Sequence, residues 1–284
     1  MNKLTEQNNQ IENVNTQIVP ENVDSLRAIK EVEGAIIMAK KFPRDETVAY
    51  TKIINACKRK GIAEKAMYQY PRGGKVVRGP SIRLAEVLAQ SFGNLQYDIR
   101  ELGRSDEESD VQASCWDLET NFRATKTFKV KHIRDTKNGP KKLKDERDIY
   151  EMIANMGSRR GRACILSVIP SDIVQSAIQQ CEQTLIDSKE PLSDRIRKMV
   201  VAFKEFGVTK EMIENFFNHS IDKVDNKELV DMIGIYNALK DGTAKRFDYF
   251  NLGEAIESSD SDLVEKKLKI GEDKNGEIKQ KKQK

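Results

Sequence analysis

The sequence has no long apolar run. Its longest, such as Ala35-Ile36-Ile37-Met38-Ala39, span a few residues, well short of the roughly 20 that a membrane helix needs. The N-terminus, rich in Asn, Gln and Glu, has no signal-peptide pattern. A protein of the cytoplasm with no membrane partner is expected. Cysteine and histidine are scarce: Cys57, Cys115, Cys164 and Cys181 lie far apart without a CxxC pair, and only His132 and His219 accompany them. That excludes a zinc cluster and a disulfide framework, and leaves buried thiols of a reducing compartment. A Walker-type phosphate loop is also missing. Gly73-Gly74-Lys75 lacks both the glycine five residues before Gly74 and the Ser/Thr after the lysine, and reads as a tight turn between helix and strand. Neither histidine has a nucleophile or metal partner at a recognisable spacing, so no catalytic and no metal-ligating residue is assigned. No cofactor is expected, magnesium serving at most as a counterion.

What is there is charge. Of 284 residues 33% are charged and 38% hydrophobic, with a net charge of only +4, but the signs are segregated. From Gln96 to Asn121 eight acids face two arginines, a net −6; from Phe122 to Arg162 thirteen bases face five acids, a net +8. The second stretch is suited to meet an anion.

The apolar spacing predicts helices over Ser25 to Lys41, through Leu26, Ile29, Val32, Ile36 and Ile37, over Asp45 to Lys60 with Gly61 as its stop, and over Ser81 to Ser91. After Asn94 the period becomes alternating. Leu95-Tyr97-Ile99, Val111-Ala113-Cys115 and Phe122 to Ile133 read as three antiparallel strands, joined by turns at Gly103 to Asp110 and Leu118 to Asn121. The third strand sets Phe122, Ala124, Phe128 and Val130 against Arg123, Lys129 and Lys131, one packed face and one basic face. Asp135 to Lys144, with Asn138-Gly139-Pro140, reads as a loop, and Asp145 to Val168 as a helix stopped before Pro170. Asp194 to Phe206, Thr209 to Asn218 and Asn226 to Lys240 read as short helices of a separate module, with an N-cap at Ser193.

The expected fold class is therefore α+β: a three-stranded antiparallel meander flanked by helices, with a small all-helical C-terminal module. The expected division is 1–24 disordered, 25–183 the α+β core, 184–193 a linker, 194–252 the helical module, and 253–284 a flexible lysine-rich tail.

A polynucleotide backbone needs cations spread along a surface, because each phosphate neutralised releases counterions. Three clusters qualify: Arg72, Lys75 and Arg78; Arg123, Lys126, Lys129 and Lys131; and Arg159, Arg160 and Arg162. At 100° per residue Arg160 falls near the middle of the stripe formed by Ile149, Met156 and Ala163, so it either snorkels outward or faces an anion-filled cleft. Gly157 and Gly161 flank it and allow close approach of a backbone. Trp116, the only tryptophan, and Tyr97 read as core or sheet residues before base-stacking platforms. A nuclease using Asp135-Thr136-Lys137 stays open as an alternative, as does an interaction protein whose basic surface is incidental.

Three segments in order carry a family resemblance: Ile53-Ile54-Asn55-Ala56-Cys57-Lys58-Arg59-Lys60-Gly61-Ile62 followed by Ala66-Met67-Tyr68-Gln69-Tyr70-Pro71, then Gly79-Pro80-Ser81-Ile82-Arg83-Leu84-Ala85-Glu86-Val87-Leu88-Ala89-Gln90-Ser91-Phe92-Gly93-Asn94-Leu95, then Met156-Gly157-Ser158-Arg159-Arg160-Gly161-Arg162-Ala163-Cys164-Ile165-Leu166-Ser167-Val168-Ile169-Pro170. Over residues 45–180 this order resembles a divergent branch of the RecT/Red-beta (Rad52-like) phage single-strand annealing proteins. The basic helix departs from that pattern by carrying arginines for lysines, and by Gly157 and Gly161. The resemblance implies a core that binds single-stranded DNA between the meander and the basic helix, assembles into rings or helical filaments, and anneals complementary strands without ATP in phage recombination or replication, within the host cytoplasm. It also implies that the C-terminal helices contact a host single-strand-binding protein or a phage exonuclease.

Overall fold

The computed structural model describes residues 23–73, 75–136 and 139–250. The expected disorder of 1–24 falls almost wholly outside them, as does the expected flexible tail 253–284. The chain is a mixed α and β fold with nine α-helices among the described residues and small antiparallel sheets. It forms two compact units, Met1–Thr51 with Ala89–Ile169, and Lys52–Leu88 with Pro170–Lys284.

In the first unit, α1 (Val23–Lys41) is followed by the start of α2 (Glu46–Cys57). Asp45 begins α2 by accepting from the Val48 amide at 2.9 Å. The sheet has the order β3 (Leu95–Arg104), β4 (Glu108–Asp117), β5 (Arg123–Lys131), all antiparallel. A bulge between Glu101 and Gly103 shifts the β3–β4 register. Helix α5 (Glu146–Val168), capped by Asp145 accepting from the Arg147 and Asp148 amides, packs on this sheet. The core there is Val111, Val130, Leu143, Ile149 and Ile153, with Phe128, Met152 and Met156 against it.

The stretch expected as a loop is a second hairpin, β6 (Ile133–Thr136) with β7 (Gly139–Lys142), paired from Ile133↔Lys142 to Thr136↔Gly139. Gly139 takes φ 99°, which only glycine adopts without strain, and the Thr136 hydroxyl donates to its carbonyl at 2.7 Å. Thr136 pairs with Gly139, which leaves two residues between the strands, and this short connection with a glycine at its exit outweighs the lysine-rich, loop-like composition.

The second unit corrects the expected partition. It contains α3 (Lys60–Ala63), the hairpin β1 (Met67–Arg72) and β2 (Lys75–Pro80), α6 (Ser171–Ile186), α7 (Leu192–Phe203), α8 (Lys210–Phe217) and α9 (Asn226–Lys240). Helix α4 (Ile82–Phe92) leads back to the first unit. The C-terminal helices are therefore not an all-helical module cut off at 184–193. Helix α9 packs on β1, the Asn237 side chain donates to the Glu64 and Met67 carbonyls at 2.8 Å each, and the Tyr249 hydroxyl donates to the Gln69 carbonyl. Helix α6, unassigned from sequence, takes up part of the expected linker, and Thr184 donates from it to the Cys57 carbonyl at 3.0 Å. Two boundaries also differ. Gly61 lies inside α3 rather than stopping α2, and α7 starts from Pro191 rather than Ser193. The core of this unit centres on Phe203, Ile213, Met232, Ile235 and Phe250.

Candidate nucleic-acid interface

Strand β5 alternates as expected, with two differences. Phe122, expected on the packed face, precedes the strand and is 54% exposed. Ala124, Phe128 and Val130 turn inward to α5 while Arg123, Lys129 and Lys131 face out, but Lys126 shares the parity of the packed set. Its charge acts on Cys164 of α5, opposing the rise in thiol pKa that burial causes. Lys126 thus lies on the helix side of the sheet, apart from the outward lysines.

The outward lysines meet the acidic stretch. Register places Lys129 opposite Asp110 and Lys131 opposite Glu108. The Lys129 ammonium pairs with the Glu108 carboxylate and lies 3.9 Å from that of Asp110; its pKa is raised by the Glu108 hydrogen bond first and by both charges. The two segregated stretches thus meet across the β4–β5 pairing at Lys129.

Arg78, Arg160 and Arg123 also have partners. Arg78 lies 2.9 Å from Glu182 and 3.1 Å from Asp231, an ion pair without hydrogen-bond alignment in the second case, and burial raises the Asp231 carboxyl pKa. Arg160 is half-buried, its guanidinium 4.6 Å from the Phe128 ring centroid and its Nη1 donating to the Met156 carbonyl at 3.3 Å. Arg123 lies 5.7 Å from the Trp116 ring centroid on the outward face. Trp116 is half-buried there, its indole N–H donating to Asn121 at 3.0 Å, and Tyr97 is exposed, so both are sheet residues outside the core. Arg159 is exposed on α5 and Arg162 half-buried.

Arg72 and Lys75 are exposed partners across the β1–β2 connection, where Gly73 takes φ 57°; this turn joins two strands rather than a helix and a strand. With Arg78 they belong to the second unit, whereas the other two clusters belong to the first. The three clusters are thus not parts of one domain.

Gly157 has a packing role. A Cβ there would meet Ile99 Cγ2 of β3 at 2.6 Å, whereas at Gly161 the nearest atoms of Ile99 are 3.8 Å away. The close approach is that of sheet to helix.

Sequence reading missed the cations on and after the second hairpin. Arg134, Lys141, Lys142 and Lys144 are exposed, and Arg134 lies 3.3 Å from Asp148. Among the described residues Lys131, Lys141, Lys142 and Lys144 have no ion pair. The side chains of Asp135 and Lys137, on which the nuclease alternative rested, lie outside the described residues. Elsewhere among those residues no group of three His, Cys, Asp or Glu is placed to hold a metal ion, the four cysteines are buried and unbridged, and no helix is long and apolar enough to cross a membrane. No protein-family model, curated protein or solved structure matches the chain.

Proposed function

We propose that the protein binds single-stranded DNA and anneals complementary strands without ATP, in phage recombination or replication in the host cytoplasm. The observation that carries this reading is the run of exposed lysines Lys131, Lys141, Lys142 and Lys144, left over after the pairing of β4 with β5 has satisfied Lys129. Such a run neutralises successive phosphates along a backbone, and the Arg123–Trp116 pair, at the opposite end of β5 from Lys131, supplies a flat π surface. Annealing needs no covalent chemistry: screening the phosphates lowers the repulsion between two strands while base edges stay open to pair.

Assembly through self-contact belongs to the same reading and is supported by α1. Leu26, Ile29, Ile37, Met38 and Phe42 in and just after this helix are exposed, Ile37 at 63%, and among its described side chains Ala39 alone is fully buried. A host single-strand-binding protein or a phage exonuclease remains the proposed protein partner.

The test is the pairing rate of two complementary dye-labelled oligonucleotides with purified protein and no nucleotide, with and without magnesium, and product length read on a gel. Accelerated pairing of intact strands is expected. Strands shortened only when magnesium is present would replace the proposal with a nuclease; neither effect would replace it with a partner-binding factor.

A further inference from the structure

The second unit holds a cleft of about 500 Å³ that the DNA reading does not use. Its walls are apolar, formed by Met199, Phe203, Leu229, Met232 and Tyr236. Cations line it as well. Glu190 clasps two of them, accepting from Lys60 at 2.9 Å and from Lys198, which hold its pKa down to about 2. Lys65, Arg195 and Lys240 have no ion pair among the described residues, although Glu64 and Asp241 also line the cleft.

Arg195 is the unusual member. It is 8% exposed, and the one side-chain acceptor it reaches is the neutral amide oxygen of Asn226, at 2.9 Å. Its charge is opposed by burial and eased through space by Glu190 and then Glu64, neither in ion-pair contact with it, and the Asn226 amide takes one of its five donors. An apolar cleft with a buried cation that makes no ion pair among the described residues is complementary to an acidic chain carrying apolar side chains.

The sequence contains such a chain next to this site. Phe250 is 1% exposed and packs edge-on against Phe203, a wall of the cleft, with ring centroids 5.9 Å apart. Beyond it, residues 254–265 contain Glu254, Glu257, Asp260, Asp262 and Glu265 with no lysine or arginine, and interleave Ile256, Leu263 and Val264. From Phe250 an extended chain reaches roughly 14 Å by Glu254 and about 50 Å by Glu265, enough to span a cleft of this size. The short tether places the segment at a roughly millimolar effective concentration.

We infer that the acidic segment 254–265 docks in this cleft within its own chain, setting carboxylates against Lys65, Arg195 and Lys240 and apolar side chains against the walls. The contact makes the cleft self-occupied, so that any external acidic ligand must compete with it. The inference stands independently of DNA binding.

Carbodiimide coupling of the full-length protein, mixed as ¹⁴N and ¹⁵N copies, followed by peptide mass spectrometry, tests it. Amide links from Glu257, Asp260 or Asp262 to Lys65 or Lys240, within single isotopic copies, are expected. Links confined to mixed copies, or spread evenly over the exposed lysines, would overturn it. A second measurement uses the full-length variant Glu257→Lys/Asp260→Lys/Asp262→Lys and a fluorescent peptide of residues 252–266. The peptide should bind this variant at least about tenfold more tightly than the unaltered protein, whose own segment competes. Equal affinities, or no binding to either, would overturn the proposal.

Discussion

The Arg44 guanidinium grips the Asp117 carboxylate with both terminal nitrogens, at 3.0 and 2.5 Å, while its plane lies 4.0 Å from the Phe92 ring centroid. Glu119 accepts from Arg44 Nε at 3.0 Å and from the Asn94 amide at 2.6 Å. Both members of the main pair are nearly inaccessible, with side chains 9% and 5% exposed. Breaking one half of a buried pair strands the other charge. Arg44→Met is therefore expected to cost about 3–5 kcal/mol in urea unfolding at pH 7.

The same pair sets an acid limit. Burial pushes the Asp117 pKa up, but the Arg44 hydrogen bonds and the Glu119 amide outweigh it and hold the pKa below 3.8. A depressed carboxylate stabilises the fold above its ordinary pKa and ceases to do so as pH falls through the lower, folded value. The stability gap between the unaltered protein and Arg44→Met should accordingly be full at pH 6 to 7 and narrow below about pH 4. A gap that stays constant down to pH 2.5 would contradict this assignment.

Gly157→Ala should destabilise by about 1–3 kcal/mol, because the added methyl meets Ile99 at 2.6 Å. Gly161→Ala, with 3.8 Å to spare, should be neutral or stabilise by up to about 1 kcal/mol through helix propensity. Adding Ile99→Ala to Gly157→Ala should recover part of the loss, read as a coupling energy in a double-mutant cycle.

For DNA, the lysines fall into two classes. Lys141→Ala with Lys142→Ala should weaken single-strand binding and lower the slope of log affinity against log salt by about 1.4, two phosphate contacts at roughly 0.7 each. Lys129→Ala should change the slope little, since that ammonium already serves Glu108. Arg160→Met should likewise leave the slope in place. Equal slopes for all three variants would remove the hairpin from the interface.

Truncation near Thr184 is expected to unfold more than it deletes. It removes α9, whose Asn237 satisfies the Glu64 and Met67 carbonyls and whose Gly234 lies against Gln69. Hydrogen exchange should show residues 60–80 losing protection in the shortened chain. Unchanged protection there would restore a separable C-terminal module.

Periodic signals in the sequence were informative where one element buries one face. The helices over Glu46–Cys57, Ile82–Phe92, Glu146–Val168 and Asn226–Lys240, and the sheet β3-β4-β5, lie where spacing put them. Long-range partnership was not legible. Nothing local in Met67-Tyr68-Gln69 says that a helix some 160 residues later covers it, and nothing local in Arg78 names Glu182 and Asp231. A charge run along a chain likewise does not reveal the run of opposite sign on the neighbouring strand, so the pairing of Lys129 with Glu108 was not legible locally. The β6–β7 hairpin was the reverse case: Gly139, at the exit of a two-residue connection, carried the signal, and lysine content obscured it.

The opposite charges of β4 and β5 also act as registration marks. A slip of one residue would carry Lys129 and Lys131 to the helix side and bring Phe128 and Val130 into water, losing ion pairs and core together. Only five residues separate these strands, so the correct alignment is selected by contacts close in sequence, before the distant closures that unite residues 52–88 with the chain after 170. The acids of β4 thus proofread the alignment of the strand beside them at an early stage of folding.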